Sequence, residues 1–255
     1  MRVLNKAFDQ PLRTEEKAVA PLAGGIMQYG YQCGMIWGAS LAAGAYAYQH
    51  HDRKNEAQIM ALLTASKLVD TYRTMKEEID CYNITNINKS SSKLKMLYIF
   101  LIKGKTFSCM NMSARYAKAA FSVINSMDSK PQIEAPLPPF SCTVELAQKV
   151  GLSDMHTTMV SGLAGGIGLC GGACGAIAAA IWMYALKNEC KWIIDYNDSK
   201  ALNLLDSFLK FTGYQFECSE IVGKKFSSIN DHADYLKHEG CKKNIEMLAS
   251  KLALI

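Results

Sequence analysis

Proline is scarce in this 255-residue chain: there are six, and four of them (131, 136, 138 and 139) fall in SKPQIEAPLPPF. That stretch cannot continue a helix and reads as a stiff linker. Charge is missing from two long segments, because residues 18–49 and 155–186 hold no Asp, Glu, Lys or Arg. Clear period-2 patterns are absent as well, which removes a sheet-based fold; LYIFLI, residues 97–102, is the one ambiguous apolar run. No GxSxG, HExxH or P-loop occurs, so hydrolase and NTPase chemistry has no support. MRVLNKAFDQPLRTEEKA lacks the apolar core of a secretory signal, and the expected compartment is the cytoplasm. A formal net charge of only +5 gives no reason to expect nucleic acid.

Cysteine, by contrast, is abundant, at positions 33, 81, 109, 142, 170, 174, 190, 218 and 241. The number is odd, so a closed set of disulfides cannot use them all. In a reducing compartment such an excess points to metal or redox chemistry, against the alternative of small core-filling thiols.

The cysteines recur in a duplicated pattern. LAGGIMQYGYQCGMIWGA (22–39) aligns without a gap on LAGGIGLCGGACGAIAAA (163–180), with 10 of 18 positions identical and Cys33-Gly34 over Cys174-Gly175. Asp80-Cys81 then matches Glu217-Cys218, and Cys109, ahead of a helical pattern, matches Cys241. Shared order at similar spacing indicates a tandem repeat. The expected units are 1–127 and 141–255, with 128–140 as linker. Residues 1–141 carry net +6, partly from Lys89, Lys93, Lys95, Lys103 and Lys105. That cluster reads first as a solvated loop and second as a partner-docking patch.

Helical periodicity dominates. Ser66–Ile79 and Ser199–Phe216 place apolar residues at three- and four-residue steps, with Ser199 as a cap, and Ala114–Ile124 and Asn244–Leu254 close the halves. The expected fold is all-α: two tandem, pseudo-symmetric helical bundles with central Gly/Ala-rich helices. Gly30, Gly34, Gly38 and Ala42 step by four, as do Gly171, Gly175 and Ala179, which suggests small-residue ridges facing each other or a bound group. A membrane protein is the weakest alternative, since these runs lack long Leu/Ile/Phe stretches.

Helical spacing puts Cys170 and Cys174 on one face, where two thiols could form a redox dithiol or a soft-metal pair. Cys170, Gly171, Gly175, Cys33 and Gly34 are therefore candidates for lining a cofactor. Gly166–Gly171 spells GxGxxG, but without a preceding strand it is not a dinucleotide site. His232, His238 and Cys241, near Cys218, allow a mixed metal site, against exposed helix-end histidines.

On these residues the second half resembles the C_GCAxxG_C_C family of redox-active helical domains. The resemblance covers FSCTVELAQKVGL, SGLAGGIGLCGGACGAIAAA, Cys218 and Cys241. It implies that Cys142, Cys174, Cys218 and Cys241 are the family's four cysteines, and so the expected catalytic or metal-ligating set. The first half looks like a degenerate copy keeping Cys33, Cys81 and Cys109, with Met1 opposite Cys142. The leading expectation is an oxidoreductase or electron-transfer protein. Its thiolates would hold an iron–sulfur cluster or other metal, or act directly as thiol and disulfide. A redox partner protein and self-assembly into a homo-oligomer are the expected associations. The alternative is a non-catalytic helical scaffold with core cysteines.

Overall fold

The computed structural model describes residues 1–128, 138–188 and 195–254; most of the proposed linker, and Cys190, lie outside them. The first half runs α1 (Arg2–Ala7), α2 (Arg13–Ala18), α3 (Gly34–His50), α4 (Lys54–Met75), α5 (Cys81–Thr85), α6 (Lys93–Leu97) and α7 (Lys105–Asn125). The second runs α8 (Cys142–Lys149), α9 (Asp154–Ser161), α10 (Gly175–Lys187), α11 (Ser199–Phe211), α12 (Cys218–Val222), α13 (Ile229–Lys237) and α14 (Lys242–Ala253). The fold is all-α, and the two series correspond helix for helix. Extended pairing among the described residues is confined to two equivalent isolated bridges, Gln32 with Asp80 and Ala173 with Glu217.

Sequence explains most boundaries. Ser141, Ser153 and Ser228 cap α8, α9 and α13 with their hydroxyls. α11 is capped by Asp198 rather than Ser199; its carboxylate accepts the N–H groups of Lys200 and Ala201. α4 begins twelve residues before the expected Ser66, because Ala57, Ala61 and Ala65 continue its buried face. LYIFLI contributes neither a strand nor a long helix: Tyr98–Ile102 forms a short π-helical turn. α3 and α10 are apolar nearly all round and lie in the core, as helices without a polar face must.

The halves interlock. Helix α9 of the second half packs on α3 and α4 of the first, while α2 of the first packs on α10 of the second. At this crossing the Ser161 hydroxyl donates to Gln58 O at 2.8 Å and His156 pairs with Glu15 at 2.9 Å. Trp182 donates its indole N–H to Glu15 O. Among the described residues no helix is long and apolar enough to cross a membrane.

The glycine-rich segments differ from expectation. Helices α3 and α10 begin only at Gly34 and Gly175, so Gly30 and Gly171 belong to no ridge. Residues 24–28 and 165–169 are instead runs of left-handed backbone, every φ lying between 51° and 75°. A left-handed non-glycine residue costs roughly 1–2 kcal/mol, and Ile26, Met27 and Gln28 or Ile167 and Leu169 incur it. Burying Ile26, Met27 and Ile167 returns about 1.5–3 kcal/mol each, which offsets much of the strain. The ridges do not face each other: a methyl on Gly34 would meet Ala23 Cα at 2.9 Å, and one on Gly175 would meet Leu163 O at 1.8 Å. Each central helix therefore packs on the segment that leads into its own turn.

Gly166 and Gly151 share nearly the same left-handed φ, 75° and 74°, but a methyl at Gly166 would lie 2.4 Å from Gly172 O while one at Gly151 meets nothing. Gly151→Ala should cost about 1 kcal/mol from backbone conformation alone. Gly166→Ala should cost about 1–3 kcal/mol more, because the loop must shift. Urea denaturation midpoints of the two variants measure the difference.

Candidate functional site

Each left-handed turn delivers the chain to a backbone clip that positions two cysteines. In the first half Cys33 N–H donates to Ile79 O at 2.8 Å and Cys81 N–H to Tyr31 O at 2.7 Å. In the second, Cys174 N–H donates to Phe216 O at 2.9 Å and Cys218 N–H to Gly172 O at 2.6 Å. Cys33 and Cys174 precede the first residue of α3 and α10, while Cys81 and Cys218 open α5 and α12. The two clips adjoin: Gln32 of the first half accepts from Ala173 N–H through Oε1 at 2.9 Å, and Tyr31 stacks on Phe216 at 4.0 Å.

In the second half Cys142, Cys174, Cys218 and Cys241 are within electrostatic reach of one another. Burial raises the pKa of all four thiols, and their neighbours reinforce this in Cys142, Cys218 and Cys241. Cys142 is pushed up to about 12, with the Gly165 amide opposing the shift. Cys174 is relieved by the amides of Ile177 and Ala176 and by Asn244, whose Nδ2 donates to its sulfur at 3.9 Å. Cys142, Cys174 and Cys218 are buried, and all eight described cysteines are free thiols. Among the described residues no three His, Cys, Asp or Glu side chains are arranged to hold a metal ion.

Cys170 does not share a helix face with Cys174, because it sits in the turn and α10 begins only at Gly175. Its thiol donates to Gly166 O at 2.6 Å. It borders a separate cavity of about 450 Å³ with Arg73 and Lys225, which lower its pKa against the larger effect of burial. His232 is fully buried rather than exposed at a helix end; its Nδ1 donates to Phe140 O at 2.9 Å, just before Cys142, and its Nε2 has no hydrogen-bond partner. A carbonyl can only accept, so Nδ1 carries the proton. His238 Nδ1 is likewise committed to a carbonyl, that of Asp234, at 2.7 Å.

The first half, expected to be degenerate, brings Cys33, Cys81 and Cys109 together around open space. All three border a largely apolar cavity of about 450 Å³ whose wall includes Phe100, Ile87 and Tyr196. They also border a smaller one of about 180 Å³ that contains Tyr72, Lys76 and Arg115. All three thiols are half-buried, unlike Cys142, Cys174 and Cys218. Cys109 lies one turn inside α7, whereas Cys241 stands at the cap of α14, so the two are not matched in helical position. Burial raises Cys81 to about 11, with Cys33 adding to the shift and Thr85 opposing it. It also raises Cys33, against the Met35 amide and the Tyr72 hydroxyl, and Cys109, against Lys105 and Lys76. Sequence pattern pointed to these cysteines but not to the cavities, whose walls come from α4, α7 and, through Tyr196, the other half.

Burial lowers the His232 pKa from 6.5 to about 4. The unfolded chain therefore binds the extra proton first as pH falls. The resulting stability is full above about pH 6.5 and is lost toward pH 4, about 3 kcal/mol in all. The advantage of the parent over His232→Gln in urea unfolding should shrink by about that amount across this window.

No curated protein and no solved structure matches the chain. A family model described as "Putative redox-active protein (C_GCAxxG_C_C)" matches residues 1–122 and matches again over residues 141–255. Two matches that together span most of the sequence, with cysteines held in equivalent backbone clips, make this chain a member of the C_GCAxxG_C_C family in tandem form.

Proposed function

We propose that the protein is a thiol–disulfide oxidoreductase whose reacting centre is the first-half trio Cys33, Cys81 and Cys109, and that 1–127 and 141–255 are its two repeat units. The observation that carries this reading is the shared wall. Three free thiols border both an apolar and a cationic cavity, while their second-half counterparts are mostly enclosed. Access and thiolate character decide which thiol attacks, and Cys109 has lysines acting in its favour.

The oxidant that suits these walls is a small disulfide with a carboxylate near Lys76 and Arg115 and an apolar body near Phe100. Cys109 thiolate attacks one sulfur of R–S–S–R, forming Cys109–S–S–R and releasing R–S⁻. A second thiolate, from Cys81 or Cys33, then attacks the Cys109 sulfur, closing an internal disulfide and releasing the second R–S⁻. Two cysteines lose two electrons, the disulfide gains them, and the two thiol protons end on the released thiols. A partner protein or small thiol would return the electrons. The set Cys142, Cys174, Cys218 and Cys241, three of them buried, supports the fold around this centre and supplies no step.

Protein purified without oxygen should be colourless and metal-free. Treated with oxidised glutathione, it should gain one internal disulfide among these three cysteines, read by peptide mapping. Cys109→Ser should cut the rate by at least tenfold and leave the melting temperature nearly unchanged. Because burial raises the thiol pKa values, the rate should climb about tenfold per pH unit through neutrality and still be rising at about pH 9. Of two alkyl disulfides, the anionic 3,3′-dithiodipropionate should react faster than the cationic cystamine. A metal chromophore, or no disulfide among the three, would overturn the proposal.

A further inference from the structure

Residues 81–127 contain seven cations, Lys89, Lys93, Lys95, Lys103, Lys105, Arg115 and Lys118, and no Asp or Glu. The corresponding residues 218–253 mix six cations with five acids. The acid-free segment also exposes large apolar side chains. Leu94, Leu101, Ile102, Phe107 and Met110 are between 64% and 79% accessible, with Leu97 and Tyr98 beside them. Single exposed leucines are ordinary, but seven large apolar groups within seventeen residues are not. Ile99 is buried, and Thr106 donates to Phe100 O at 2.9 Å, which ties the segment down while its outward side chains stay bare.

We infer that residues 93–110 dock the protein on an anionic lipid surface, with Leu94, Leu101, Ile102 and Phe107 inserted among the headgroups and the exposed Lys93 and Lys103 on the phosphates, while Lys89 and Lys105 turn inward and donate to Tyr196 O and Ile84 O. Charge complementarity selects this occupant. Leu, Ile and Phe backed by a one-signed cationic rim is the composition of interfacial, non-spanning membrane contacts. Protein interfaces are depleted in Lys, and five of the seven cations here are lysines between 89 and 105. Docking differs from spanning, which no described helix is long and apolar enough to do. It is also independent of the thiol chemistry, although Phe100 and Cys109 place the cavity of about 450 Å³ beside the lipid-facing segment.

The test is co-sedimentation of the full chain with vesicles of phosphatidylcholine, alone or with about a third phosphatidylglycerol. The expected result is retention on the mixed vesicles only, weakening as salt is raised. Leu101→Glu with Ile102→Glu should lower the partition at least tenfold. Lys93→Gln with Lys103→Gln should lower it about 25-fold, at roughly fivefold per lysine. These side chains are exposed, so circular dichroism and the melting temperature should not move; thiol reactivity in solution should stay unchanged too. Three results would overturn the inference: no retention, equal retention on neutral vesicles, or a dimer broken by the two Glu substitutions in a protein that ignores vesicles. Failure of the thiol assay would leave the vesicle result standing, and the reverse.

Discussion

The structure depends on one backbone device, used twice: a left-handed turn that throws the chain into a two-point clip beside the start of a buried helix. Residues 24–28 and 165–169 reverse the hand of the chain. The hydrogen bonds of Cys33, Cys81, Cys174 and Cys218 then fix where four thiols can be. Side chains have little to do with this placement. The amides and carbonyls are satisfied by each other, as buried backbone groups must be, and the sulfur positions follow. The close contact of Gly175 with Leu163 O and of Gly34 with Ala23 locks each turn against the helix it precedes.

Much of this was legible in the residues. The duplication could be read from the identical Leu-Ala-Gly-Gly-Ile runs, and the all-α class from the three- and four-residue steps. The turn was not legible. A four-residue glycine step fits a right-handed helix with a small-residue ridge as well as it fits a left-handed loop, and only φ separates them. That ambiguity also misplaced Cys170 beside Cys174. The interlocking escaped as well, because periodicity reports which face of a helix is apolar and not which half of the chain covers it. The cavities were invisible for the same reason: Tyr196 reaches the first-half thiols from 87 residues beyond Cys109.

Duplication released the two copies to diverge on a shared scaffold. The second half has an early cysteine, Cys142, has Cys170 where the first has Tyr29, and buries Cys142, Cys174 and Cys218. The first half has Met1 opposite that early cysteine, open space beside its thiols and the larger positive charge. Thiols crowded together without solvent or cations are held in the protonated form. Thiols that reach a cavity with lysines nearby have a route to ionisation. One set of backbone hydrogen bonds thus supports two chemical environments.

The exchange of helices between the halves, α9 onto α3 and α2 onto α10, has a consequence for how such a chain can change. Neither repeat owns a complete interior. A protease nick or gene truncation that removed one would strip the other's central helix and leave its apolar surface to aggregate. Each copy therefore covers part of the other's interior, whatever its own chemistry. The pair is bound to melt as a single unit.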